Sequence, residues 1–163
     1  MATAQTSSEP VLDSCQTFAQ QFYDWYVPLT QKQLKTPAWN LALRRKPAVF
    51  STQLFQALSA DSAAQSKARG TIVGIDFDPF LGTQDPADRY QTRTPQWESG
   101  RCSVEVWPDS RTDAAEKSDK PTVVVELSRE SQSWRFLNFL YPPVKTDLLK
   151  VLQQLKQLRS QPQ

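Results

Sequence analysis

The sequence predicts an α+β fold, with helices at both ends of the chain packed on an antiparallel sheet of about four strands. Three observations carry that reading. Apolar residues recur at helical spacing over 14–29, and again over 147–159. Between them, 102–107, 122–127 and 133–141 are rich in Val, Phe and Trp, residues that suit a pleated surface. The last two of these segments are joined by a link too short for a crossover, so they must pair antiparallel.

Residues 1–10 are small and polar, and 1–12 read as a flexible tail ahead of a single domain, 13–159, with a frayed end at 160–163. In the first helix Cys15, Phe18, Phe22, Trp25, Tyr26 and Leu29 form one stripe, Asp13 or Ser14 can cap it, and Pro28 should end or kink it. The connector 30–48 carries Lys32, Lys35, Arg44, Arg45 and Lys46 and no acid, with a short helical turn at 39–43. A second helix runs over 51–68, capped by Ser51, with Leu54, Phe55 and Leu58 inward and Gly70 as its stop. Residues 71–75 read as a short strand and 76–88, dense in Asp, Gly and Pro, as a loop. Strands then follow at 102–107, 122–127 and 133–141, with a polar loop at 108–120 and a tight turn at 128–132. The last strand is apolar on both sides: Trp134, Phe136 and Leu140 on one, Leu137, Phe139 and Tyr141 on the other. That pattern places it centrally or against a cavity. Thr146 caps the final helix, whose stripe is Leu148, Val151, Leu152, Leu155 and Leu158.

With 163 residues the chain can bury a core without metal or disulfide staples. A net charge of +2 supplies no field that would favour nucleic acid. No apolar run approaches the length that crosses a bilayer. Cys15 and Cys102 read first as buried free thiols, and pairing is the alternative in an oxidising compartment.

The chain has no histidine, which removes the commonest general base, the commonest zinc ligand and every Ser-His-Asp triad. Gly70, Gly74 and Gly82 form neither a P-loop nor a dinucleotide fingerprint. The segment 76–85 gathers Asp76, Asp78 and Asp85. Such carboxylates can hold a hard cation or act as an acid/base pair. The plainer reading is that Asp78 and Asp85 cap turns and bond backbone amides while Phe80 and Leu81 plug the core, and the spacing is not that of an EF-hand. Trp39, Trp97 and Trp107 are anchor candidates for a protein partner if exposed. The candidate binding residues are Asp24, Tyr26, Asp76, Asp78, Gln84, Asp85 and Trp107. No catalytic residue, metal or cofactor is expected.

Four stretches taken together carry a resemblance. They are Phe22-Tyr23-Asp24-Trp25-Tyr26, the helix over 50–58, Asp78-Pro79-Phe80 with Gln84-Asp85, and Trp134-Arg135-Phe136 running to Tyr141. Their order and spacing, over about 14–155, resemble the YbjP-like family of bacterial exported proteins and lipoproteins, whose shared domain has no known function. The resemblance implies N-terminal helices on a curved sheet of the NTF2-like or cystatin-like kind. It also implies export to the periplasm with a signal segment removed. The lipobox cysteine of the lipoproteins has no counterpart at the start of this sequence. The family offers no catalytic residues to carry over. The expected function is therefore a non-catalytic protein-binding or adaptor domain of the cell envelope, with another protein as partner. The rival is a small-molecule or carboxylate-based enzyme domain with a pocket in the sheet.

Overall fold

In the computed structural model, which describes residues 9–109 and 119–162, four helices pack on a five-stranded antiparallel sheet. The order is α1 (Glu9–Thr30), α2 (Ala38–Arg45), α3 (Thr52–Lys67), β1 (Tyr90–Glu98), β2 (Arg101–Pro108), β3 (Val123–Glu130), β4 (Ser133–Tyr141), β5 (Thr146–Asp147) and α4 (Leu148–Ser160). Each strand pairs with the next in sequence, so the sheet is a meander, β1-β2-β3-β4-β5.

The stripe of α1 buries Cys15, Ala19, Phe22, Tyr23, Tyr26, Val27 and Leu29. The helix starts earlier than its stripe suggested, so Glu9–Leu12 belong to it rather than to a tail. Pro28 sits in its last turn and the helix stops at Thr30, whose hydroxyl donates to the Val27 carbonyl. Ser51 caps α3 by accepting from the Leu54 amide at 3.2 Å, and Leu54 and Leu58 point inward. The cap of α4 is Asp147, one residue beyond Thr146; its carboxylate accepts from the Lys150 amide. Trp39 is buried in α2 and is no surface anchor.

Three strand expectations need correction. Residues 71–75 form no strand, although Thr-Ile-Val-Gly-Ile has the propensity for one. Their amides are taken by side chains of α3 instead, as described below. The sheet gains β1, which hid because Pro95 interrupts it and its apolar residues do not alternate. Its register breaks between Arg93 and Gln96, with Thr94 at φ 54°. Finally, β4 is not split into two apolar faces. Leu127 pairs with Phe136 and Glu126 with Asn138, which leaves Leu137 as an extra residue. This bulge turns Trp134, Phe136, Phe139 and Tyr141 all to the interior, while Leu137 and Leu140 stay half-buried.

The space between sheet and helices is filled by aromatic rings. Phe22 lies 4.9 Å from Phe136 and 5.6 Å from Phe80, and Phe80 lies 5.0 Å from Phe139. Such pairs add to the large area each ring buries. A disulfide joins Cys15 of α1 to Cys102 of β2, so the two cysteines are not free thiols. It is fully enclosed by the core. Most of the polar loop foreseen at 108–120 lies outside the described residues. Among the described residues, no helix is long and apolar enough to cross a membrane.

Candidate functional site

Asp78 is the centre of the aspartate-rich loop. Its Oδ1 accepts from the amides of Phe80 at 3.0 Å and Leu81 at 3.2 Å, the turn that a short polar side chain forms with its own backbone. Its Oδ2 accepts from the Tyr26 hydroxyl at 2.6 Å. The loop also closes on its own backbone: the Asp78 amide donates to the Thr83 carbonyl and the Gly82 amide to the Asp78 carbonyl. Gly82 stands at φ +67°, and a side chain there would press on the Tyr141 ring and the Thr122 carbonyl.

Two more tyrosines hold the same turn. The Tyr23 hydroxyl donates to the Phe80 carbonyl at 2.8 Å, and the Tyr141 hydroxyl to the Pro79 carbonyl at 2.6 Å. Burial pushes the acidity constants of Tyr23, Tyr26 and Tyr141 well above the usual phenol value, with the nearby Asp78 charge adding to it. All three hydroxyls therefore remain donors. Burial also raises the Asp78 carboxyl to about 6, against the downward pull of its bonds from Tyr26, Phe80 and Leu81. Every bond to that carboxylate fastens the fold.

Beside this turn lies an open pocket of about 480 Å³. Asp76, Asp78, Gln84, Lys32, Lys35 and Trp39 are among its lining residues. The structure thus brings together three of the sequence candidates, Asp76, Asp78 and Gln84. The Gln84 side chain donates to the Asp76 carbonyl and so braces the loop. Tyr26 stands behind Asp78 in the core. The others lie elsewhere. Asp24 is exposed on α1 and accepts from Gln20. Asp85 is exposed and does not line the pocket. Trp107 lies on β2, bonded to Glu105 and covered by the Arg93 guanidinium 5.1 Å from its ring. Among the described residues, no group of His, Cys, Asp or Glu is arranged to hold a metal ion.

A second feature escaped the sequence reading. Asp61 of α3 is buried, and its Oδ1 accepts from Arg159 of α4 at 2.9 Å. Its Oδ2 accepts from the Ile75 amide at 2.9 Å, while Arg159 also donates to the Val73 carbonyl. One turn along α3, Gln65 accepts from the Val73 and Gly74 amides and donates to the Thr71 carbonyl. These bonds clamp 71–75 between the ends of two helices. Ile72, which Gln65 does not grip, is left 73% exposed, and Leu158 beside it is 62% exposed. Both line an apolar groove of about 550 Å³ with Ala64, Ala68, Val73 and Leu155. The stripe of α4 announced Leu158 as a core residue, and the structure corrects that. The only sequence signal for the groove was a stripe running further than the core it serves.

No family model matches the chain, and no curated protein or solved structure matches it either. These comparisons add nothing to the resemblance noted in the four sequence stretches.

Proposed function

We propose that the chain is a non-catalytic protein-binding domain that works in an oxidising compartment such as the periplasm, and that it receives its partner at the α3–α4 end. The observation that carries this reading is the groove holding Ile72 and Leu158. Large apolar side chains exposed together on a rigid backbone cost solubility and mark interaction sites. The clamp from Asp61 and Gln65 holds Ile72 outward, so a partner meets a surface that is already ordered. The Cys15–Cys102 bond favours an exported setting, since such bonds are rare where glutathione keeps thiols reduced. The family resemblance points the same way.

The test is photo-crosslinking from position 72 in cells that make the protein, with position 91 on β1 as a control on another face. Specific adducts from position 72, lost when Leu158→Asp is added while the melting temperature holds, support the reading. Equal adducts from both positions, or none from 72, defeat it.

A second reading draws on the pocket at Asp76, Asp78 and Gln84, which Lys32 and Lys35 also line. A small ligand carrying both charges suits such a lining. Asp78 is already committed to the fold, and Asp24 and Asp85 stand outside, so this reading has fewer free groups to work with. Calorimetric titration with zwitterionic amino acids separates it from the first.

A further inference from the structure

Resting on the reading of the α3–α4 end as a binding surface, we propose that its occupant is an acidic amphipathic segment of a partner protein. The groove around Ile72 and Leu158 adjoins a second depression between α3 and α4, and Arg159 lines both. The residues lining the two include Lys67, Lys150, Lys156 and Arg159, and none of them is acidic. Arg159 is spent on Asp61, and Lys150 lies 3.7 Å from Asp147. Lys67 and Lys156 make no ion pair among the described residues. Lys67 on the apolar groove and Lys156 on the adjoining, glutamine-lined depression thus each present a cation with no ion-pair partner among the described residues, on a chain whose net charge is only +2.

The chemistry of the occupant follows. Ile72, Leu155 and Leu158 call for apolar anchors on the occupant, which an amphipathic helix supplies at i, i+3 and i+4. The rim calls for Glu or Asp beside those anchors, because complementary charge steers encounter and fixes register. A second copy of this chain fits poorly. Across a twofold axis the same face meets itself, and a face that carries Lys67 and Lys156 and lines its two depressions with no acid offers its copy no opposite charge there. Ile72 and Leu158 border a concavity that accepts inserted side chains, which favours a protein segment over a flat lipid surface.

The test places a photo-crosslinking residue at Ala68, on the groove wall, in the otherwise intact chain, and maps the captured segment by mass spectrometry. That segment is then synthesised as a peptide, and its binding to the purified oxidised protein is measured by fluorescence anisotropy. The expected segment is net negative with apolar residues at helical spacing. Its affinity should fall at least tenfold with Ile72→Asp. It should fall similarly with Lys67→Glu combined with Lys156→Glu, and should weaken several-fold between 0.05 and 0.3 M salt. Both variants change exposed residues, so unchanged circular dichroism and melting temperature are expected alongside. Capture of a neutral or basic segment, of a second copy, or of lipid overturns this inference while leaving a binding surface in place. Binding indifferent to salt and to the double reversal overturns it too. No adduct at Ala68 or at position 72 removes the binding surface itself.

Discussion

The Tyr26 hydroxyl donates to Oδ2 of Asp78 across 2.6 Å, joining α1 to a turn 52 residues later in the chain. With Tyr23 and Tyr141 on the adjacent carbonyls, the turn is held from α1 and from β4 at once. The Asp-Pro-Phe sequence is thereby a fastening, and Phe80 is the plug it fastens.

Replacing Asp78 tests that role directly. Asp78→Ala leaves two amides and the Tyr26 hydroxyl without an acceptor and should cost about 2–3 kcal/mol. Asp78→Asn keeps an acceptor for the amides and offers a donor to the Tyr26 oxygen, and should cost less than about 1 kcal/mol. The pH dependence has a definite sign. The folded carboxyl sits at about 6 against an ordinary value of 3.8, so the folded state holds its proton more tightly than the unfolded chain. Its stabilising contribution is complete below 3.8 and is lost as pH rises through about 6. That gap is worth at most about 3 kcal/mol. Urea titrations between pH 4 and 7 should show the wild type losing stability relative to Asp78→Asn as pH rises. Parallel curves for the two proteins would contradict the assignment.

Reduction of Cys15–Cys102 gives a second prediction. The bond closes a loop with a sequence separation of 87 residues, for which chain entropy alone suggests about 4.6 kcal/mol. The Cys15→Ser, Cys102→Ser double variant should lose about 2–5 kcal/mol and should no longer respond to dithiothreitol. A double variant that melts at the wild-type temperature would show that the bond bears little on the fold.

What the sequence disclosed, and what it did not, divides along physical lines. The stripe of α1 was legible because one helix face meets one core. The fastening role of Asp78 was legible because its bonds to Phe80 and Leu81 are local. The strand β1 was not, since its edge is met by Gln16 and Gln20 rather than by apolar side chains, so no alternation was required of it. Conversely, 71–75 mimicked a strand. Nothing local reveals that Asp61 and Gln65 compete for its amides. The groove at Ile72 escaped for the same reason, because Arg159 and Asp61 are 98 residues apart and a single acid carries no pattern.

The Asp61–Arg159 pair makes a third prediction. Asp61 is fully buried, so losing its cation strands a charge in the interior. Arg159→Leu should cost about 3 kcal/mol, whereas Asp61→Asn with Arg159→Leu should recover part of that loss. Gly74→Ala should also destabilise, because a Cβ there would sit 2.6 Å from Asp61 Oδ2. Chemical denaturation of the single and double variants measures the coupling. Strict additivity would mean that the two side chains do not act together.

Gln20 offers the last test, and it concerns the open side of the sheet. An edge strand displays unpaired amides and carbonyls that invite pairing with other chains. On β1 this edge is closed by α1 rather than by another strand. Gln20 Oε1 accepts from the Thr92 amide at 2.8 Å and from its hydroxyl at 2.8 Å, while Nε2 donates to the Tyr90 carbonyl at 3.2 Å. Gln16 donates to the Thr92 carbonyl at 3.0 Å. Two amide side chains one helical turn apart thus replace the ladder bonds a neighbouring strand would make. Gln20→Ala should cost about 2 kcal/mol, because Thr92 is buried and its amide would lose its acceptor. Gln20→Glu keeps the acceptor but loses the donor to Tyr90 and faces Asp24 one turn on, so it should fall between the two. Hydrogen exchange at the Thr92 amide reads the effect locally, and should quicken most in Gln20→Ala. Aggregation should rise in the same order, since β1 is an edge strand of the five-strand meander and the variants uncover it. An unchanged exchange rate at Thr92 would show that the edge is protected by something other than α1.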